Sequence, residues 1–137
     1  MLKTTTSLRV RYAETDQMRY VYYGNYPMYY EVGRAQLMRE IGFSYRHMEE
    51  EIGVMMPVLD MNIQYKGPGL YDEELSIEVT VAEMPVTRMR FDYRIFNENK
   101  KCINEGHTTL AFVNRATSRP VRIPEVLKEA LMPYFSN

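Results

Sequence analysis

Residues 25–42 read NYPMYYEVGRAQLMREIG. Asn25 has the side chain of an N-cap, and Pro27 is tolerated in a first helical turn, where its missing N–H is no loss. Tyr26, Tyr30, Gly33, Leu37 and Ile41 then recur at steps of three and four, the spacing of a buried helical stripe. Gly33 falls in mid-helix, where it costs about 1 kcal/mol relative to alanine. Close approach to a flat surface would compensate, so the helix is expected to lie on a sheet. Gly42 closes it just past its last turn, as glycines do in a left-handed cap. Ser44 is expected to cap a shorter amphipathic piece, 45–52, which ends at Gly53.

The flanks supply the sheet. Upstream, Leu8, Val10 and Tyr12 alternate with Arg9 and Arg11, which predicts a half-buried strand over 7–13. Downstream, Leu59, Met61, Ile63 and Tyr65 alternate with Asp60, Asn62 and Gln64. After the turn signal KGPG (66–69) and Asp72, Leu75, Ile77, Val79 and Val81 alternate with polar residues. Met89, Phe91, Tyr93 and Ile95 repeat the pattern. NENKK (97–101) predicts a hairpin turn, and 103–113 a long final strand. Pro124 is expected to open a C-terminal helix over 125–134. One strand, one long helix and four strands joined by short links favour antiparallel pairing. The expected architecture is α+β, a curved antiparallel five-stranded sheet wrapped around one central helix, as a single domain over 1–137.

Composition narrows the function. The net charge is −1, which disfavours general nucleic-acid binding. No apolar run is long enough to span a bilayer. The opening MLKTTTSLRVRY lacks an apolar core of the secretory type, so no signal peptide is expected. Cys102 is the only cysteine, which excludes an intrachain disulfide and points to a reducing, cytoplasmic setting. His47 and His107 stand apart and belong to no metal-ligand spacing, so no metal is expected. Twelve tyrosines and eleven methionines suit either an ordinary core or a pocket for an extended, partly apolar ligand.

The stretch 9–42, RVRYAETDQMRYVYYGNYPMYYEVGRAQLMREIG, resembles the opening of the hotdog-fold acyl-CoA thioesterases, in the 4-hydroxybenzoyl-CoA thioesterase and YbgC-like branch. The matching residues are Arg11, Tyr12, Glu14, Thr15, Asp16, Met18, Val21, Tyr22, Asn25, Tyr26, Glu31 and Arg34. Two positions depart from the common pattern: Arg19 stands where many members have glycine, and Tyr23 where many have histidine. The resemblance implies hydrolysis of an acyl-CoA or acyl-carrier-protein thioester, with no cofactor beyond the coenzyme A of the substrate. It also implies a homo-oligomer, a dimer or dimer of dimers, with sites between subunits. A hotdog hydratase or dehydratase is an alternative, against which the loss of the histidine at Tyr23 argues. A non-catalytic acyl-CoA or acyl-carrier-protein binder is another, motivated by both departures.

Thioester hydrolysis needs little. The leaving thiol has a pKa near that of cysteine, about 8.5, and departs as thiolate without a strong acid. A carboxylate near the carbonyl carbon and donors for the oxyanion are sufficient. By resemblance the carboxylate is Asp16, as nucleophile or general base. The amides of Tyr23 and Gly24, just ahead of a helix start, are the candidate oxyanion donors. Asn25 is expected to cap the helix, to contact the substrate carbonyl or Asp16, or both. Tyr22 and Tyr26 are expected to wall the acyl group, and Lys66, Arg88 and Arg90 to meet coenzyme A phosphates. Glu14 is expected to be structural, paired with Arg11. Glu31 and Arg34, three apart on the helix, fit either a surface ion pair or a position near the site or an interface.

Overall fold

The computed structural model describes residues 1–135. Eight-residue strands β1 (Leu2–Arg9), β3 (Val58–Tyr65) and β4 (Glu74–Val81) join β5 (Arg88–Phe96) and β6 (Cys102–Ala111) in one sheet of order β1-β4-β5-β6-β3. Every pairing is antiparallel. The long helix α1 (Tyr26–Glu40) lies on one face of this sheet, against β1 and β4. A short helix α2 (Tyr45–His47) continues as a wider turn over Met48–Ile52 and stops at Gly53, whose φ of 80° is left-handed. Two-residue strands β2 (Val54–Met55) and β7 (Val113–Asn114) form a separate ribbon, and α3 (Glu125–Leu131) closes the chain with a 3₁₀ turn, Met132–Tyr134.

The helix packs as its spacing predicts. Tyr26, Tyr30, Gly33 and Leu37 are buried, facing the inward residues Ile77, Val79, Phe91, Tyr93 and Ile95. A Cβ at Gly33 would sit 2.7 Å from the Val79 Cγ2 methyl and 2.9 Å from that of Ile77. Glycine is therefore what lets the helix backbone settle onto the sheet. Gly42 has a φ of 95°, and Ser44 accepts the His47 amide at 3.0 Å, as the cap signals predicted. The turn at 97–101 closes with the Asn97 side chain accepting the Asn99 and Lys101 amides, each at 3.0 Å.

Four expectations need correction. The first strand begins at Leu2 and ends at Arg9, not over 7–13. Lys3, Thr4, Thr5 and Thr6 carry no apolar alternation, but threonine suits a pleated backbone, and their pairing with Thr80, Val79, Glu78 and Ile77 holds them. Tyr12 lies outside the strand in a 3₁₀ turn, Tyr12–Glu14, and is exposed. The third strand alternates in sequence yet has no buried face: Val58, Leu59, Met61 and Tyr65 are exposed and Ile63 is half-buried. It occupies the sheet edge beside β6, and the 66–73 link carries the chain to β4 beyond β5 and β6. The last strand stops at Ala111. The final helix gives way at Met132 to the 3₁₀ turn. No helix among the described residues is long and apolar enough to cross a membrane.

Candidate active site

The site is built around a buried, fully hydrogen-bonded carboxylate. Glu14 is 7% exposed, and its side chain accepts the Arg11 amide and Nε, each at 3.0 Å, and the Tyr29 hydroxyl at 2.9 Å. The Arg11 guanidinium also pairs with it at 2.9 Å. Burial pushes its pKa up, but these hydrogen bonds and the Arg11 charge outweigh that and hold it below the usual glutamate value. Its carbonyl accepts the Tyr22 amide at 2.9 Å and Asn25 Nδ2 at 2.8 Å. Glu14 thus ties the turn before Asp16 to the segment entering α1. The pairing with Arg11 agrees with the sequence. The Tyr29 bond does not show there, because Tyr29 carries only the signature of a core aromatic.

Glu14→Gln is expected to lower stability by about 1–3 kcal/mol near neutral pH, through lost charge-assisted bonds. The folded pKa is depressed, so the carboxylate's contribution is complete above the unfolded value of about 4.5 and vanishes as pH falls through the folded one. Urea unfolding of parent and variant should show a gap that narrows in acid. A gap constant down to the acid transition would refute this role.

Asp16 follows at a tight turn. Its Oδ1 accepts the Met18 amide at 2.9 Å and the Tyr20 amide at 3.2 Å, while its own amide donates to the Tyr20 carbonyl at 2.8 Å. Arg19, within this turn, has a φ of 64°. That is the left-handed region, which disfavours side chains with a Cβ and accounts for glycine being common at this place in the resembling motif. Arginine here keeps the turn: its carbonyl accepts the Tyr71 amide at 2.9 Å.

The carboxylate lines a groove of about 470 Å³ together with Tyr20, Val21, Tyr23, Tyr26, Tyr65, Lys66, Gly67 and Pro68. Tyr23, Gly24 and Asn25 form a 3₁₀ turn that runs straight into α1. Among the described residues the Tyr23 and Gly24 amides have no hydrogen-bond partner. Asn25 does not cap the helix with its side chain, which is committed to the Glu14 carbonyl. Here a tertiary bond has displaced the local one. Tyr65 was not among the site residues expected from sequence. Its hydroxyl donates to the Tyr23 carbonyl at 3.0 Å and its ring meets Tyr26 edge-on at 5.6 Å. The KGPG turn directly after it was the available signal. Burial raises the Tyr26 phenol above its ordinary pKa, so it remains a neutral donor. Tyr22 packs on the Tyr23 ring at 4.6 Å, beside this groove and not among its lining residues.

The cationic candidates separate. Lys66 lies on the groove rim, paired with Glu105 at 2.8 Å, which raises its pKa. Arg88 and Arg90 border a different depression with Glu83, Met84 and Asp92, and Arg90 pairs with Asp92 at 3.0 Å. Arg88 is opposite Ala111, whereas Tyr65 and Asn104 are level with Ile95. Seven residues of strand, roughly 23 Å, separate the two ends. Within one chain these arginines therefore do not join the Asp16 groove. Glu31 and Arg34 form no ion pair, and Arg34 is buried. His47 stands 3.5 Å from Glu51 and His107 lies beside Asn62 and Asp92; neither lines the groove.

The profile of the Thioesterase-like superfamily matches residues 10–131. YneP of Bacillus subtilis, which carries a provisional acyl-CoA thioesterase name, is 35% identical over 115 residues, 84% of this chain and 83% of that one. The acyl-CoA thioesterase YbgC of Haemophilus influenzae is 26% identical over 123 residues, 90% of each chain. The crystal structure of a DHNA-CoA thioesterase from Staphylococcus aureus superposes with a TM-score of 0.91 at 33% identity, covering 98% of this chain and 92% of that one.

Proposed function

The chain belongs to the thioesterase-like superfamily, and from that premise we propose that Asp16 carries the hydrolysis of an acyl-CoA thioester in the groove beside the start of α1. The protein is a hotdog-fold acyl-CoA thioesterase, a hydrolase that yields a free acid and coenzyme A. The observation that carries the assignment to Asp16 is local. Asp16 and a wall of tyrosine rings line one groove, and Tyr23 of that wall opens the 3₁₀ turn Tyr23–Asn25 that runs into α1; Gly24 and Asn25 follow in that turn and are not among the lining residues.

In this reading the thioester oxygen sits at the Tyr23 and Gly24 amides, where charge building on it meets preorganised N–H donors and the positive end of α1. Asp16 takes a proton from the attacking water, or attacks the carbonyl itself to give a mixed anhydride that water opens. Either way the thiolate departs unaided. Tyr20, Tyr23, Tyr26 and Tyr65 wall the acyl group, and their rings with polar tips favour an aryl acyl chain. Tyr22 supports the wall through Tyr23, Asn25 fixes the amide pair by holding the Glu14 carbonyl, and Lys66 meets a phosphate at the rim.

Thiol release from a panel of aryl, straight-chain and branched acyl-CoAs tests this. The highest kcat/KM is expected for an aryl substrate. Absence of turnover across the panel, with tight binding, would leave only a binder. In oxygen-18 water under single turnover, label in the Asp16 carboxylate would show direct attack followed by opening of the anhydride at the aspartyl carbon, whereas water activation puts the label only in the released acid.

The active unit is a homodimer. Two observations support this: β3 presents Leu59, Met61 and Tyr65 on an open sheet edge, and the groove is open on one side in a single chain. Exposed apolar edge strands pair unless charge prevents it. Arg88 and Arg90 then reach coenzyme A only from a neighbouring subunit. Met61→Lys is expected to shift the mass seen by light scattering from dimer towards monomer and to lower activity in parallel. A monomeric, fully active parent would refute it. The single thiol, Cys102, supports a cytoplasmic setting.

A further inference from the structure

The Tyr23 and Gly24 amides, without partners among the described residues, each belong to a peptide whose carbonyl is held. The Tyr22 carbonyl, in one peptide with the Tyr23 N–H, accepts the Asn25 amide at 2.9 Å. The Tyr23 carbonyl, in one peptide with the Gly24 N–H, accepts the Tyr65 hydroxyl at 3.0 Å. The first bond is local to the 3₁₀ turn. The second comes from the last residue of β3, 42 positions along the chain. A regular helix would offer the Tyr23 carbonyl an amide four residues on, but Pro27 stands there and has no N–H. The Tyr65 hydroxyl takes that place.

A peptide unit is planar and trans, so a carbonyl held in one direction sends its N–H in the opposite one. A bond accepted at the carbonyl also polarises the unit and makes its N–H a stronger donor. The Tyr23–Gly24 plane turns about the ψ of Tyr23 and the φ of Gly24, and glycine leaves the second of these loose. A side chain cannot supply the restraint, because a Cβ at Gly24 would meet the Tyr22 ring at 2.7 Å. Tyr65 can. Its ring rests edge-on against Tyr26 at 5.6 Å, and both rings line the Asp16 groove.

We propose that Tyr65 is a positioning residue for thioester hydrolysis, orienting and polarising the Gly24 amide through the Tyr23 carbonyl. It rests on the oxyanion site assigned above. The hydroxyl serves the transition state and the ring serves the groove wall, so removal of one atom separates the two.

Tyr65→Phe removes the hydroxyl and keeps the ring against Tyr26. Deleting an oxyanion donor outright costs about 10²–10³ in kcat, so loosening one is expected to cost about tenfold. With benzoyl-CoA, kcat is expected to fall by that factor, with KM, Tm and the mass by light scattering unchanged, as for an interaction made in the transition state. Tyr71→Phe removes a phenol outside the groove and is expected to keep the parent kcat. A second readout is the infrared carbonyl stretch of benzoyl-CoA, carbon-13 labelled at the thioester and bound to Asp16→Asn, which slows turnover. It is expected below its frequency in water, and to move back towards that value when Tyr65→Phe is added. The proposal is overturned by a parent-like kcat in Tyr65→Phe, by a loss of kcat that follows a fall in Tm or mass, or by a rise in KM alone. A carbonyl stretch equally shifted with and without the hydroxyl also overturns it, and leaves the oxyanion site standing. A stretch at its water value with the hydroxyl present would refute that site and the role of Tyr65 together.

Discussion

Asp16→Asn is expected to cut kcat/KM for thioester hydrolysis by about 10²–10⁴-fold while leaving the fold in place. The substitution is informative because Asp16 has two tasks that asparagine separates. Its Oδ1 receives the Met18 and Tyr20 amides, and an amide oxygen can receive the same two bonds. The turn that presents residues 16–20 to the groove therefore survives, with bonds weakened by the lost charge. What disappears is the anion that removes a proton from water or attacks carbon. Asp16→Ala, by contrast, loses the turn bonds too, each worth about 1 kcal/mol. The comparison needs thiol-release rates alongside Tm for all three proteins. If Asp16→Asn matched the parent rate, Asp16 would be a turn residue and nothing more. If it unfolded, the alanine and asparagine variants would fall together in stability and the rate would carry no information about charge.

Gly106→Ala is expected to destabilise the protein by about 3 kcal/mol, at the upper end of what overpacking usually costs. Gly106 lies in β6, opposite Ile63 of β3 and Tyr93 of β5. A Cβ there would stand 2.1 Å from the backbone carbonyl oxygen of Asn62 and 2.8 Å from the Tyr30 hydroxyl. A backbone carbonyl held in a strand cannot rotate away as a side-chain tip can, so β3 itself must move. The Tyr30 hydroxyl is also held, donating to Asn104. Gly67 is the natural control, since its added Cβ would meet Ile103 at an ordinary 3.5 Å. Urea midpoints of the two variants should differ widely. An unchanged midpoint for Gly106→Ala would mean that β3 does not lie against β6 as described. Loss of β3 should also open the sheet edge and weaken the dimer, so light scattering gives a second reading.

Much of the fold follows from local pattern. The Tyr26–Leu37 spacing, the mid-helix glycine and the period-two runs at 75–81 and 89–95 each match an element, because burial on one face leaves a period that no other structure produces. The same logic failed at the two edges of the sheet. Threonines at 4–6 gave no apolar signal for β1, and the alternation in β3 pointed to a buried face that a single chain does not provide. Asp16 and Tyr23 could be named together because the resembling motif sets them within a few residues of one another, and both line the groove. Tyr65 was not, because only the folded chain carries it from the end of β3 to the Tyr23 carbonyl.

The sequence by itself determined the long helix, the α+β class and the close contact between helix and sheet at Gly33, since each depends on spacing within a few residues. Tertiary structure alone decided which groups meet: that Asn25 serves Glu14 instead of its own helix, that Arg88 and Arg90 border a depression other than the Asp16 groove, and that Arg34 is buried without an acid. Hydrophobic period specifies which face of an element is covered, but hydrogen bonds and charges are settled by distances between segments far apart in the chain, and those exist only after the sheet has closed around the helix.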